Sequence, residues 1–178
     1  MTIQFCAIDP SISCTGIAIL ELVEGSKFRI VDKTSLTLKG KKFSSRWERK
    51  LAAFELFQFW LKPRIANISF FIFENYSYGS PGQLADLGEF GGLIKKYLSD
   101  NGKAFDAMAP TSVKKFITGN GRASKEEVVE GLAKFIVNID EVKFNNFDES
   151  DAVAVGVSYA LSMQEVMNES SESGKDIS

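Results

Sequence analysis

The sequence predicts an α/β fold: a five-stranded mixed sheet, three antiparallel strands followed by two parallel ones, flanked by helices. Three observations carry this expectation. Residues 2–38 hold three short, Ile- and Val-rich segments parted by turn residues, residues 68–73 form a nearly continuous apolar run, and apolar residues elsewhere recur at helical spacing.

The apolar runs 2–7 and 16–22 are separated by Asp9-Pro10-Ser11, and Glu24-Gly25-Ser26 leads into a loosely alternating third segment, residues 28–38. Strands joined by such tight turns pair as an antiparallel meander. Over residues 44–61, Trp47, Leu51, Phe54, Phe57, Phe59, Trp60 and Leu61 recur at roughly helical spacing, with Ser44 or Ser45 as N-cap and Pro63 beyond the end. This aromatic stripe is read as core. Residues 68–73 suit a central strand covered on both faces, and the run stops at Glu74. A helix over residues 83–98 carries Gly88 and Gly92; glycine weakens a helix, so the pair is read as a place where another backbone comes close. Residues 103–109 form the fifth strand and Pro110-Thr111-Ser112 opens a short helix. A further helix spans residues 124–137 with Ser124 and Glu127 as a capping box, and the last spans 149–163. The folded domain is expected over residues 1–166, with a disordered acidic tail over 167–178.

At 178 residues and 44% hydrophobic composition, the chain fills one domain with a substantial core. No apolar stretch approaches the ~20 residues of a membrane-spanning helix, and the N-terminus lacks the layout of a secretory signal. A cytoplasmic protein with no membrane partner is expected. The chain has no histidine, which excludes Ser-His-Asp triads, Cys-His dyads and His-ligated zinc. Cys6 and Cys14 lack CxxC spacing and are read as small core residues. The net charge of -2 conceals two basic stretches. Lys39, Lys41, Lys42, Arg46, Arg49 and Lys50 face only Glu48, while a second set of cations runs from Lys95 to Lys125, and either suits a phosphate partner.

Four of the 23 acidic residues fall at telling places. Asp9 ends the first strand and Glu74 the fourth, while Asp148 and Asp151 open the last helix at a spacing that puts both on one side. If strands one and four are neighbours, the four acids converge and repel one another unless divalent cations neutralise them. Oxygen-only ligation favours Mg2+ or Mn2+, and two such ions ~4 Å apart suit in-line phosphoryl transfer. Asp9 also reads as a turn acid and Asp148 as a helix cap. Glu74 and Asp151 adjoin apolar runs, where an unpaired charge is costly to bury.

Ala7-Ile8-Asp9-Pro10-Ser11 with Thr15-Gly16 resembles the opening motif of the RuvC-type Holliday junction resolvases, within the RNase H-like superfamily. Phe73-Glu74 resembles their second acidic motif, Leu87-Gly88 with Gly92 their glycine-bearing helix, and Asp148-Glu149-Ser150-Asp151-Ala152-Val153-Ala154 their closing motif. Val113-Lys114 and the segment from Gly119 to Lys125 resemble their basic DNA-facing stretch, so the likeness runs from about Thr2 to Met163. Departures at Ser11, at Gly91 and in the basic insertion over residues 39–42 point to a phage-type relative.

The resemblance implies an RNase H-like fold and a homodimer that nicks four-way DNA junctions symmetrically. It implies two Mg2+ ions per site, replaceable by Mn2+, no organic cofactor, and the cytoplasm of a bacterium or phage-infected cell. Asp9, Glu74, Asp148 and Asp151 would hold the metals, Lys125 would share in catalysis, and Lys114, Lys115 and Arg122 would bind DNA. Tyr76 or Tyr78 would pry at the junction centre.

Alternatives from other classes are a same-fold nuclease acting on flaps, forks or RNA-DNA hybrids, and a non-catalytic junction-binding module. The latter would have to lose acids that are all present here. Asp9 to Gly16 also resembles the phosphate-binding turn of sugar kinases and actin-like ATPases, but those proteins duplicate the fold, and 178 residues do not hold both halves.

Overall fold

The computed structural model describes residues 3–76 and 81–173. Its strands are β1 (Gln4–Asp9), β2 (Cys14–Glu24), β3 (Lys27–Thr37), β4 (Phe70–Glu74) and β5 (Ala104–Met108). Its helices are α1 (Arg46–Leu61), α2 (Pro81–Asp100), α3 (Pro110–Thr118), α4 (Lys125–Leu132) and α5 (Phe147–Ser173), with short 3-10 turns at Ile65–Asn67 and Ile139–Glu141. The sheet order is β3-β2-β1-β4-β5; β1, β2 and β3 pair antiparallel, and β4 and β5 continue parallel to β1, as the sequence predicts. No helix among the described residues is long and apolar enough to cross a membrane.

Strand alternation sorts the core into two layers. Phe5 and Ala7 of β1, Ala18 and Leu20 of β2, and Ile72 of β4 face a layer with α3, α4 and α5. Cys6, Ile8, Ile17, Ile19, Phe71 and Phe73 face the opposite layer with α1 and α2. Both faces of the central strands are therefore covered, which explains the unbroken apolar run before Glu74. Helix α5 lies close on the sheet because Gly156 has no side chain: a Cβ there would stand 2.4 Å from Leu20 Cδ1 and 3.0 Å from Ala7 Cβ.

Four sequence expectations need correcting. In α1 the buried residues are Lys50, Ala53, Phe57 and Leu61, a single i, i+3, i+4 face, whereas Trp47 and Phe59 are 50% and 81% exposed. Lys50 is tolerated inside because its ammonium bridges Asp86 and Glu89 of α2. Helix α4 ends at Leu132 rather than at residue 137. Its expected last turn instead leaves to pair with the sheet: Phe28 donates to Phe135 O at 2.8 Å and Val137 to Phe28 O at 2.9 Å. Asn138 then fastens the segment with bonds both from and to the Ile30 backbone.

The third correction concerns α5, which begins at Phe147 and continues to Ser173, beyond the expected end at residue 163. The fourth concerns α2. A Cβ at Gly88 or Gly92 would meet no atom within 4 Å among the described residues, so no backbone among the described residues outside α2 itself approaches them.

Candidate active site

The same alternation that sorts the core aims the acids. Asp9 shares its face of β1 with Phe5 and Ala7, and Glu74 shares its face of β4 with Ile72, so both carboxylates point toward α5. The parallel register that pairs Ile8 with Phe73 sets Asp9 and Glu74 side by side at the strand ends. Across β1, Asp9 pairs with Gly16 of β2, and Gly16 faces the first turn of α5. A Cβ at Gly16 would stand 1.9 Å from the Asp148 carbonyl oxygen. Glycine is thus required for Asp148 to seat over β2 beside Asp9. We expect Gly16→Val to displace the start of α5 and destabilise the fold by about 1–3 kcal/mol, read as a lowered urea midpoint. An unchanged midpoint would show that the helix start does not rest there.

Asp148 is not the cap of α5. Asn146 Oδ1 accepts the Glu149 amide at 3.1 Å and takes that role, while the Asp148 carboxylate bonds the Cys14 thiol and raises the Asp9 pKa by its charge without lining the acid cavity. Glu149, buried, accepts from Lys33 Nζ at 2.5 Å and from the Asn145 amide and Nδ2 at 3.0 and 2.9 Å, fixing the loop that enters α5. The Asn146-x-x-Glu149 spacing resembles a helix-start signature and would have located this cap in the sequence. On the other side, the Ser11 hydroxyl accepts the amides of Ser13 and Cys14, and Thr15 Oγ1 donates to Ser11 O at 2.6 Å. The serine that departs from the family pattern thus closes the turn after Asp9 with its own side chain.

Asp9, Glu74, Asp151, Lys114 and Lys125 line one cavity of about 170 Å³, floored by Val113, Val128 and Ala154. Lys125 Nζ donates to Asp151 Oδ2 at 2.5 Å, and Lys114 Nζ donates to Ala123 O at 2.7 Å. Burial, then the charges of Asp151 and Asp148, push the Asp9 carboxyl up to about 7, with Lys125 opposing. Burial, then Asp9 and Asp151, push Glu74 up to about 8, against Lys125 and Lys114. Burial works against the charged form of Lys125, but its hydrogen bond to Asp151 and the nearby acids outweigh this and hold its pKa above the ordinary lysine value. Burial and a hydrogen bond to Asp148 push the Cys14 thiol up to about 11, so it is inert beside the acids.

In this conformation no three acids among the described residues are grouped closely enough to hold a metal ion, and Asp151 is turned to Lys125. The donor set still fits a hard divalent cation: it is oxygen only, and burial together with the neighbouring carboxylates raises the pKa of Asp9 and Glu74, a cost that a bound cation would offset. This has a consequence for stability. Because Asp9 and Glu74 bind protons in the folded chain at pH values where the unfolded chain has lost them, the contribution of these two groups to stability falls as pH rises from about 4 to about 8. Added Mg2+ should therefore raise the melting temperature more near pH 8 than near pH 5. A shift independent of pH would contradict the arrangement.

The other expected residues divide. Lys115 and Arg122 are exposed and do not line the cavity. Tyr76 lies against α2, where a Cβ at Gly91 would stand 1.8 Å from its hydroxyl, and burial raises its pKa. Gly91 thus makes room for a phenol. Tyr78 lies outside the described residues.

The family model described as crossover junction endodeoxyribonuclease RuvC matches residues 5–159. No curated protein matches the sequence. Among solved structures, RuvC of T. thermophilus in complex with Holliday junction substrate aligns with a TM-score of 0.73 at 20% identity, over 89% of this chain and 93% of that one. The yeast mitochondrial Holliday junction resolvase Ydc2 aligns at 0.65 with 13% identity, over 87% and 76%. The Fowlpox virus resolvase in complex with Holliday junction DNA aligns at 0.54 with 16% identity, over 92% and 99%.

Proposed function

The chain belongs to the RuvC family of crossover junction endodeoxyribonucleases, and from that premise we propose that it resolves four-way DNA junctions as a homodimer, by paired, Mg2+-dependent nicks. The observation that carries this reading is the single cavity where Asp9, Glu74 and Asp151 meet Lys114 and Lys125. Acids for a metal and cations for a phosphate belong to phosphodiester hydrolysis, and a binding module would need only the cations.

Asp9, Glu74, Asp148 and Asp151 are the residues that would hold divalent cations. Bound there, Mg2+ or Mn2+ supplies Lewis-acid activation of water and neutralises charge on the phosphoryl oxygens. The protein's own side chains do the rest. Lys114 and Lys125 attract the scissile phosphate and oppose the charge that builds on its oxygens. The β1 and β4 ends hold Asp9 and Glu74 side by side, and Gly16 with the Asn146 cap sets the start of α5, which carries Asp148 near Asp9.

A four-way junction has near twofold symmetry, and two intact duplexes result only from two matched incisions, which a twofold dimer supplies. The open face of α2 at Gly88 and Gly92 supports this, since it is free for a partner helix to approach closely. A cleavage panel of four-way junction, three-way junction, flap and RNA-DNA hybrid in Mg2+, with sedimentation, tests the reading. Preferential four-way cleavage by a dimer is expected. A monomer that prefers flaps would replace it with a flap nuclease.

A further inference from the structure

Lys114 and Lys125 line the acid cavity from α3 and α4, and a second basic surface lies on the α1 side of the sheet. A groove of about 830 Å³ runs between the β1–β2 turn, the β3–α1 connection and the first turn of α1, with Lys39, Lys41, Arg46 and Arg49 in its lining. A cavity of about 460 Å³ shares Ser13, Arg46 and Arg49 with it and extends the surface to α2 at Gln83.

Local structure holds these cations in place. Gly40 adopts φ 80°, a left-handed turn, with Lys39 and Lys41 on either side of it. Buried Leu38 anchors the turn, donating to Ser13 O and accepting from the Lys41 amide at 3.1 Å. Arg49 Nη2 donates to Ser13 Oγ at 2.8 Å, which ties α1 to the turn after Asp9. Lys39 and Lys41 are exposed and form no ion pair among the described residues, whereas Lys50 of the same stretch is consumed by Asp86 and Glu89.

The groove also adjoins Asp148, to which its lining residue Cys14 is hydrogen-bonded. Cys14 and Asn146 line it, and each lies two residues along the chain from a residue that seats Asp148, namely Gly16 and Asp148 itself. An ordinary solvated face explains single exposed lysines. It does not explain cations from separate elements converging on one concave surface whose lining residue Cys14 is hydrogen-bonded to Asp148.

We infer that this groove binds the sugar-phosphate backbone of a DNA arm leaving the cleavage point, on the opposite side of the acids from Lys114 and Lys125. The inference rests on the junction-cleaving reading, from which it takes the identity of the ligand. Each phosphate engaged by a lysine contributes about 0.9 to the slope of log affinity against log salt.

The test measures binding of a synthetic four-way junction in EDTA over a range of NaCl concentrations. It compares wild type, Lys39→Ala/Lys41→Ala, and a control, Lys62→Ala/Lys134→Ala, whose exposed lysines lie at the far end of α1 and beyond α4. The groove variant should flatten the slope by about two units and lose roughly tenfold in affinity, with the control unchanged. A wild-type slope in the groove variant, or equal flattening in the control, overturns the groove while leaving the junction reading intact. Failure of wild type to bind the junction at all overturns the reading beneath it.

Discussion

Asp9→Asn and Glu74→Gln should each abolish junction cleavage while leaving junction affinity within about threefold of wild type. Both substitutions keep shape and remove a charge that a divalent cation needs. Metal stabilisation of the transition state is worth several kcal/mol, and each 1.36 kcal/mol is tenfold in rate, so the loss should be roughly a thousandfold or more. Affinity should survive because phosphate attraction lies with the cations. Asp9→Asn should also melt higher than wild type in metal-free buffer near pH 8. There the wild-type carboxyl, pushed up to about 7 by burial and by its acidic neighbours, is forced to ionise beside them. An inactive variant that is more stable than its parent separates a metal-site residue from a structural one. If activity persists in the folded variants, the site assignment is wrong.

Lys125→Ala should lower the cleavage rate by about a hundredfold, the scale of removing one preorganised donor from a developing anion. A second effect distinguishes Lys125 from a generic surface cation. Its charge lowers the pKa values of both Asp9 and Glu74. Without it those carboxyls ionise at higher pH, so the acid limb of the pH-rate profile should move upward. Lys125→Arg should restore much of both. If the rate falls with no movement of the profile, Lys125 acts on DNA alone; if neither changes, it is only the partner of Asp151.

Much of this site was legible in the sequence because its logic is that of strand ends. An apolar run that stops at an acid, beside another strand that stops at an acid, places two carboxylates together once the strands are neighbours. Parity then decides the face: Ile72 and Glu74 match Ala7 and Asp9. The sequence could not show which way α5 meets the sheet, because that depends on Gly16 lying under a carbonyl 132 residues away in the chain.

The helix signals failed where tertiary pairing overrode local pattern. Residues 133–137 keep an apolar rhythm that suits a helix, yet after a turn at residues 133–135 the backbone of Phe28 at the sheet edge takes up the Phe135 carbonyl and the Val137 amide in a single bridge. Lys50 was hidden for a different reason. Its burial depends on Asp86 and Glu89, on another helix more than thirty residues away. Phe59 enters the helical stripe by a loose spacing, and its position falls off the face set by Lys50, Ala53, Phe57 and Leu61.

The most direct test of the account is strand-by-strand mapping of the nicks that wild-type protein makes in a synthetic four-way junction, with Mg2+ and with EDTA. Two nicks at symmetry-related positions on opposite strands are expected in Mg2+, and none in EDTA or with Glu74→Gln. Cleavage that persists in EDTA, or falls on a single strand, would contradict a twofold, metal-dependent site built on Asp9, Glu74, Asp148 and Asp151.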